Sequence, residues 1–293
     1  MNNIIYSFIV PHKNNPSLLQ RCIDSIPERE DIQIIIVDDY SNEDLKPQIK
    51  RVDTQIIYID KHNSKGAGHA RNVGLSKAIG EWLLFPDCDD YYVPGFIKKL
   101  DKYIESDIDV LYFNFEYIDG KSGKPLPALP FKKFFDKYDG SENLRKEIKY
   151  HHNVPWTKMV RRSFVEKKQI KFEEVPNGND IFFSLLVGNF SEKIIVEKSP
   201  LYIYVKNENS IVTNSNISIE SRMCRLEHSL KLRHVYDYVG HPEWKKALFH
   251  KILSNIKNGG LPFIAKLIVE FPRMLLQSDS WVAILKKKQN GRI

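Results

Sequence analysis

The first hundred residues alternate between two hydrophobic periods. Ile4–Val10 is a β-branched and aromatic run, the pattern of a strand buried on both faces. Asn15-Pro16 then supplies an N-cap and an N1 proline, and Leu18, Leu19, Cys22, Ile23 and Ile26 follow at helical spacing. Ile32–Val37, Gln55–Ile59 and Trp82–Phe85 read as three more buried strands. Ala67–Ile79 reads as a helix with a small-residue face (Ala70, Val73, Gly74, Ala78), stopped by Gly80. Pro94 opens another helix, with Phe96, Ile97, Leu100, Tyr103 and Ile104 on one side, and a fifth strand follows at Val110–Phe115. Strands alternating with helices imply βαβ units and a mostly parallel sheet.

Beyond Tyr117 the pattern loosens. Asp119–Pro130 is rich in Gly and Pro and reads as a loop. A helix is expected near Ile181–Val187, and strands near Lys193–Glu197 and Leu201–Val205. From about Ile217 the chain reads as helix only, with apolar positions at Met223, Leu226 and Leu230, at Trp244, Leu248, Ile252 and Ile256, and at Phe263, Ile264, Leu267, Ile268 and Phe271. No internal repeat or low-complexity tract is present. The expected division is residues 1–215 as one domain, with halves 1–110 and 111–215, and 216–293 as a basic helical region.

Composition adds charge placement. Residues 216–293 hold 14 Lys and Arg against 6 Asp and Glu, a net +8, whereas the first 215 hold 30 against 31. The basic excess therefore belongs to the C-terminal quarter. The three cysteines, Cys22, Cys88 and Cys224, lie far apart without metal-ligand spacing, which suits a reducing compartment. The N-terminal apolar run lacks a basic n-region and is too short for a signal peptide. No stretch reaches the roughly 20 apolar residues of a spanning helix. A cytoplasmic protein is expected. The apolar stripe of Phe263, Ile264, Leu267, Ile268 and Phe271, with Lys286-Lys287-Lys288 beyond it, suits peripheral binding to an anionic membrane surface. The same stripe also suits packing on the rest of the chain, or a homodimer.

In an open parallel sheet, ligands bind beyond the carboxyl ends of the strands. Three polar clusters fall there: Pro11-His12-Lys13-Asn14, Asp38-Asp39-Tyr40-Ser41 and Asp87-Cys88-Asp89-Asp90. Each alone is also an ordinary solvated turn. Three carboxylates within four residues repel one another unless protons or a cation intervene. Oxygen ligands suit Mg2+ or Mn2+ completed by phosphate oxygens, with a Ca2+ loop as the competing reading. Lys65-Gly66-Ala67-Gly68-His69-Ala70-Arg71 runs from a loop into a helix N-terminus, where backbone N–H groups favour anions. Arg71 stands where a dinucleotide fingerprint needs glycine, which argues against a dehydrogenase. Arg71, one turn into the helix, then either reaches a diphosphate, pairs with the acidic loop, or is an ordinary exposed helix arginine. Asp180, in Gly178-Asn179-Asp180-Ile181, is either a helix cap or a general base.

A resemblance orders these clusters. Ser7-Phe8-Ile9-Val10-Pro11-His12-Lys13-Asn14, Ile36-Val37-Asp38-Asp39-Tyr40-Ser41, Gly68-His69-Ala70-Arg71-Asn72-Val73-Gly74 and Phe85-Pro86-Asp87-Cys88-Asp89-Asp90 resemble, in order and spacing, the successive motifs of glycosyltransferase family 2. Pro155-Trp156-Thr157-Lys158 and Asn209-Ser210-Ile211 look like later features of bacterial members that build lipopolysaccharide and capsule. The resemblance covers roughly residues 4 to 205 and implies an inverting enzyme of the GT-A fold: α/β, Rossmann-like, with residues 1–215 as the catalytic domain (1–110 the nucleotide-sugar-binding half, 111–215 the acceptor side) and a C-terminal helical extension.

It implies that Pro11 lines the base pocket, Asp39 binds base or ribose, and Arg71 approaches the donor phosphates. Asp87 and Asp89 form the D-x-D, Asp89 meets Mn2+ or Mg2+ with Asp90 in support, and Asp180 is the catalytic base. The donor implied is a nucleotide-sugar, UDP by family habit, and the acceptor a saccharide or lipid-linked saccharide. The chain departs from the family in placing Asn179 where an acid usually precedes the base. Cys88 replaces a common Ser and reads as filler. Two rivals use some of the same features. A metal-dependent nucleotidyltransferase would release pyrophosphate. A nucleic-acid-binding protein would need stacking aromatics among its basic residues, which are absent here, so no nucleic acid is expected.

Overall fold

The computed structural model describes residues 3–207, 218–238, 245, 253–254 and 256–289, with side chains in the last segment to 274. The chain forms two compact units. One comprises Met1–Glu174 with Asn179–Thr213, the other Val175–Gly178 with Asn214–Ile293.

The first unit is built on one eight-stranded sheet. Strands β1 (Tyr6–His12), β2 (Ile32–Asp39), β3 (Thr54–Ile59) and β4 (Trp82–Leu84) are followed by β5 (Tyr91–Tyr92), β6 (Val110–Asp119), β7 (Lys158–Arg161) and β8 (Ile194–Lys206). Their order is β3-β2-β1-β4-β7-β6-β8-β5. β3, β2, β1 and β4 are parallel, the half that the alternation of periods predicts. β7 then runs antiparallel to both β4 and β6, and β5 antiparallel to β8, so the whole sheet is mixed. All seven residues of β1 are buried, as its unbroken apolar run requires. Pro11 sits in that strand paired with Val37, and the ladder to β4 has already ended at Phe8, so no hydrogen bond is lost to it on that side.

Helices α1 (Pro16–Asp24), α2 (Ala67–Leu75), α3 (Phe96–Leu100), α4 (Lys132–Lys137), α5 (Glu142–His151), α6 (Arg162–Lys167) and α7 (Ile181–Phe190) flank the sheet. Leu19, Cys22 and Ile23 of α1 join Phe8, Val10, Ile34 and Trp82 in the core. The two strands expected near Lys193–Glu197 and Leu201–Val205 are one strand, β8, with register shifts where Asn114 of β6 faces Pro200. Pro200 has no N–H to give the ladder. The Asn114 amide fills in, donating to the Lys198 carbonyl and accepting from the Phe115 N–H.

The second unit contains α8 (Ile219–Tyr238) and α9 (Gly260–Gln289). Met223, Leu226 and Leu230 of α8 pack with Phe263 and Met274 of α9. The expected apolar positions Trp244, Leu248 and Ile252, the motif Asn209-Ser210-Ile211 and the 215/216 boundary lie outside the described residues.

Candidate active site

The loops after β1 and β2 are tied by a buried polar knot. His12 Nδ1 lies 2.7 Å from Asp38 Oδ1, and the Ser41 hydroxyl donates to the same oxygen at 2.5 Å. His12 Nε2 accepts the Asn15 N–H at 3.1 Å, so Nδ1 carries the proton toward Asp38. A Ser–His–Asp relay needs its hydroxyl on the free ring nitrogen. Here Ser41 sits on the aspartate, and the knot is structural. It holds Asp39 at the end of β2.

Asp39 is 4% exposed. Its Oδ2 accepts from the Ser64 hydroxyl (3.0 Å) and the Gly66 N–H (3.1 Å), with Lys13 Nζ at 3.5 Å. Its Oδ1 is buried and has no hydrogen-bond partner. Buried carboxylate oxygens without a donor are costly.

Gly66, at φ +86°, turns the chain into α2. Gly68, Ala70, Arg71 and Gly74 form the buried face of that helix. The small residues are required: a Cβ on Gly74 would lie 2.4 Å from Ile9 Cγ2, and one on Gly68 only 2.0 Å from the Glu173 carbonyl oxygen. This close packing carries Arg71 inward. Arg71 is 5% exposed, so it is not an ordinary surface arginine of the helix. One terminal nitrogen donates to Asp87 Oδ1 at 2.5 Å and the other to Asn179 Oδ1 at 2.7 Å, and the guanidinium lies over the Phe172 ring. Its Nε has no partner. Asn72, one residue on, exchanges both hydrogen bonds with the backbone of Phe172 and fixes that ring in place.

The loop after β4 gathers the three acids. One oxygen from each of Asp87, Asp89 and Asp90 lies within 4.8 Å of the others. Their supports differ. Asp90 is fully buried, with one oxygen accepting from the Tyr202 hydroxyl (3.0 Å) and the other from the Val205 N–H (2.8 Å). The same Tyr202 hydroxyl accepts the Asp87 N–H. Asp89 accepts from the Asn207 amide at 3.0 Å, and Arg21 holds the Asp89 carbonyl. Burial, with Asp87 alongside, raises the Asp89 carboxyl above its usual range, and burial raises Asp90 further. The Cys88 thiol is pushed up by burial and by these acids, which keeps it protonated and inert.

Asp180 occupies the N-cap position of α7, yet its side chain makes no capping hydrogen bond. Burial raises its carboxyl, Arg71 opposes that and nearby Asp87 adds to it. Lys158 completes the surroundings. It is fully buried, donates to the carbonyls of His152 and Val154 and lies over the Tyr112 ring. Burial draws its ammonium down to about 7, against the pull of Asp180.

Residues 7–168 match the model of the Glycosyl transferase family 2. The chain belongs to this family. Among its relatives, EpsJ of Bacillus subtilis, an uncharacterized glycosyltransferase, is 30% identical over 71% of this chain and 62% of its own length. The putative glycosyltransferase EpsH of the same organism is 25% identical over 70% and 62%. The poly(ribitol-phosphate) β-N-acetylglucosaminyltransferase TarS of Staphylococcus aureus is 25% identical over 73% of this chain and 38% of that protein. The chain thus spans less than two thirds of these relatives. A crystal structure of TarS residues 1–349 with UDP-GlcNAc superimposes with a TM-score of 0.58 at 20% identity, covering 98% of this chain and 92% of that one, which shows the shared GT-A fold.

Pro11 and Asp39 stand in the last two residues of β1 and β2, Arg71 in the middle of α2, and the three acids in the loop after β4, all toward the carboxyl edge of the parallel strands. Asp180 lies at the start of α7. Arg71 is the residue that touches both the acid loop and Asn179. Tyr202, Asn207 and Arg21, which brace that loop, went unread in the sequence. No local pattern marks them, since Tyr202 reads only as one apolar position in a strand.

Proposed function

We propose that the chain is an inverting glycosyltransferase. It moves a sugar from a nucleoside-diphosphate sugar, UDP-linked first among them, to a hydroxyl of a saccharide or lipid-linked saccharide. The product belongs to a surface polysaccharide such as lipopolysaccharide, O-antigen or capsule, built on the inner face of the cytoplasmic membrane. The observation that carries the reading is the Arg71 guanidinium, which ties the acid loop to Asn179 beside Asp180.

The acid cluster fits Mn2+ or Mg2+: it is all oxygen, the oxygens converge, and burial disfavours three bare charges there. Asp89 and Asp87 would hold the ion. Asp90, expected to share in that role, spends both oxygens on Tyr202 and Val205 and would position the loop from behind. The bound ion would supply positive charge against the diphosphate.

The rest is the work of the chain's own residues. Asp39 Oδ1 accepts an N–H or O–H of the nucleoside, beside Pro11. Arg71, with its free Nε–H, adds charge at the departing diphosphate oxygen. Asp180 takes the acceptor hydroxyl proton while that oxygen attacks the anomeric carbon and the bond to diphosphate breaks. One displacement inverts the configuration, so an α-linked donor gives a β-linkage. The test is transfer from a panel of UDP-, GDP- and dTDP-sugars with Mn2+ to an oligosaccharide panel, for the native chain, Asp89→Ala and Asp180→Asn. Loss of at least a hundredfold in each variant is expected. Activity near native in either would remove that residue from the mechanism.

A further inference from the structure

Along α9, the apolar stripe read from the sequence splits in two. Phe263 and Met274 are buried against α8, with Leu267 packed beside them. Leu261 (82% exposed), Ile264, Ile268 (71%) and Phe271 instead face outward. Their spacing of three, four and three residues puts them on one line, about 15 Å long at 1.5 Å per residue. Four large apolar side chains in a line exceed the scattered exposure normal for a soluble surface and mark a docking face. Two possible occupants, a second copy and an anionic surface, can be compared by charge. Residues 216–293 carry a net +8. A second copy would bring that same positive charge against itself. Among the described residues, no helix is long and apolar enough to cross a membrane. Lys266 and Arg273 of α9 are each paired with a carboxylate, Glu220 and Glu270, so the positive excess of this unit comes from its other basic residues.

We propose that this outward face of α9 docks on an anionic lipid surface, lying along it with Leu261, Ile264, Ile268 and Phe271 entering the headgroup–acyl boundary. Apolar side chains supply insertion and the basic unit supplies attraction, the combination that distinguishes an interfacial helix from a spanning one. The inference does not depend on the catalytic reading, and its test uses no sugar donor.

The experiment is co-sedimentation of the full chain with vesicles of phosphatidylcholine alone or with 30% phosphatidylglycerol. It is repeated at ~0.1 and ~0.5 M salt, where screening lengths differ about twofold. The expected result is binding to the anionic vesicles at least tenfold stronger than to neutral ones, weakened by salt. Leu261→Ser with Ile268→Ser should reduce it at least tenfold, with an unchanged circular dichroism melt because both side chains are exposed. If the double variant melts early, Ile268→Ser alone, which leaves the net charge unchanged, replaces it and should also weaken binding. Equal binding to both vesicles, no binding, or native-like binding by well-folded variants would overturn the proposal. So would a dimer seen by light scattering that the double variant dissolves while vesicle binding is absent.

Discussion

Tyr202→Phe isolates the bracing of the acid loop. The substitution keeps the ring, which stacks on Trp156 at 5.0 Å and meets Tyr92 edge-on, and removes only the hydroxyl. That hydroxyl donates to Asp90 Oδ2 and accepts the Asp87 N–H, both at 3.0 Å. A bond to a carboxylate contributes about 1.5–3 kcal/mol, and an unsatisfied backbone N–H costs about 1–3 kcal/mol. Asp87 is partly exposed, so water can reach part of the gap and the lower halves of both ranges apply. The expected loss is about 2–4 kcal/mol. Urea unfolding followed by tryptophan fluorescence and circular dichroism reads it as a fall in midpoint at unchanged slope.

The loss also depends on pH. Burial holds the Asp90 carboxyl above its unfolded value and the Tyr202 bond lowers it, so the variant raises it further. A group raised in the fold destabilises it once pH exceeds the unfolded value near 4, and the penalty grows until the folded pKa is passed. In metal-free buffer the variant's deficit should therefore be smaller at pH 4 than at pH 8. A deficit below about 0.5 kcal/mol, or one larger in acid, would refute the reasoning.

Two further outcomes follow from α2 and from the start of α7. Gly68→Ala drives a Cβ into the Glu173 carbonyl, a backbone atom that cannot swing aside. A loss of about 1–3 kcal/mol is expected from such overpacking, together with at least tenfold weaker UDP binding by calorimetry. Retained UDP affinity would show that the 172–174 segment does not shape the site. Asn179→Asp keeps an acceptor for Arg71 and adds a negative charge beside Asp180. That charge raises the Asp180 pKa, so, if Asp180 is the base as proposed, the acid limb of the kcat/KM profile should move up by roughly one pH unit. An unmoved limb would separate Asp180 from the proton transfer.

Much of the parallel half of the fold was legible because its strands are buried on both faces and its loops carry compact polar motifs. β1, β2 and β3 begin and end within a few residues of where the apolar runs do. The antiparallel half was not. β7 is four residues, Lys158-Met159-Val160-Arg161, whose lysine is fully buried against every composition rule. It becomes tolerable only through the carbonyls of His152 and Val154, partners that folding delivers. β5 is two residues, held by pairing with Tyr202 and Ile203 more than a hundred positions away. In the site, local sequence placed the acids in one loop but could not rank them. Asp90 differs from Asp89 because Tyr202 and Val205 meet it and Asn207 meets its neighbour.

The same contacts give a physical reason for Asn179. Arg71 is one cation with two terminal nitrogens, and Asp87 takes one of them. An acid at 179 would claim the other as a second ion pair and, on the proposed mechanism, commit to a permanent partner the charge that Arg71 would offer a diphosphate. It would also set a second negative charge, after Asp87, near Asp180, whose carboxyl burial already lifts. The amide satisfies the buried N–H without claiming that charge, since a neutral acceptor binds it less tightly than a carboxylate does. Arg71 is thus fixed in place at two points while only one of its partners is charged. That condition suits the role proposed for Arg71, which is to hold its position before a donor arrives and act electrostatically once it has.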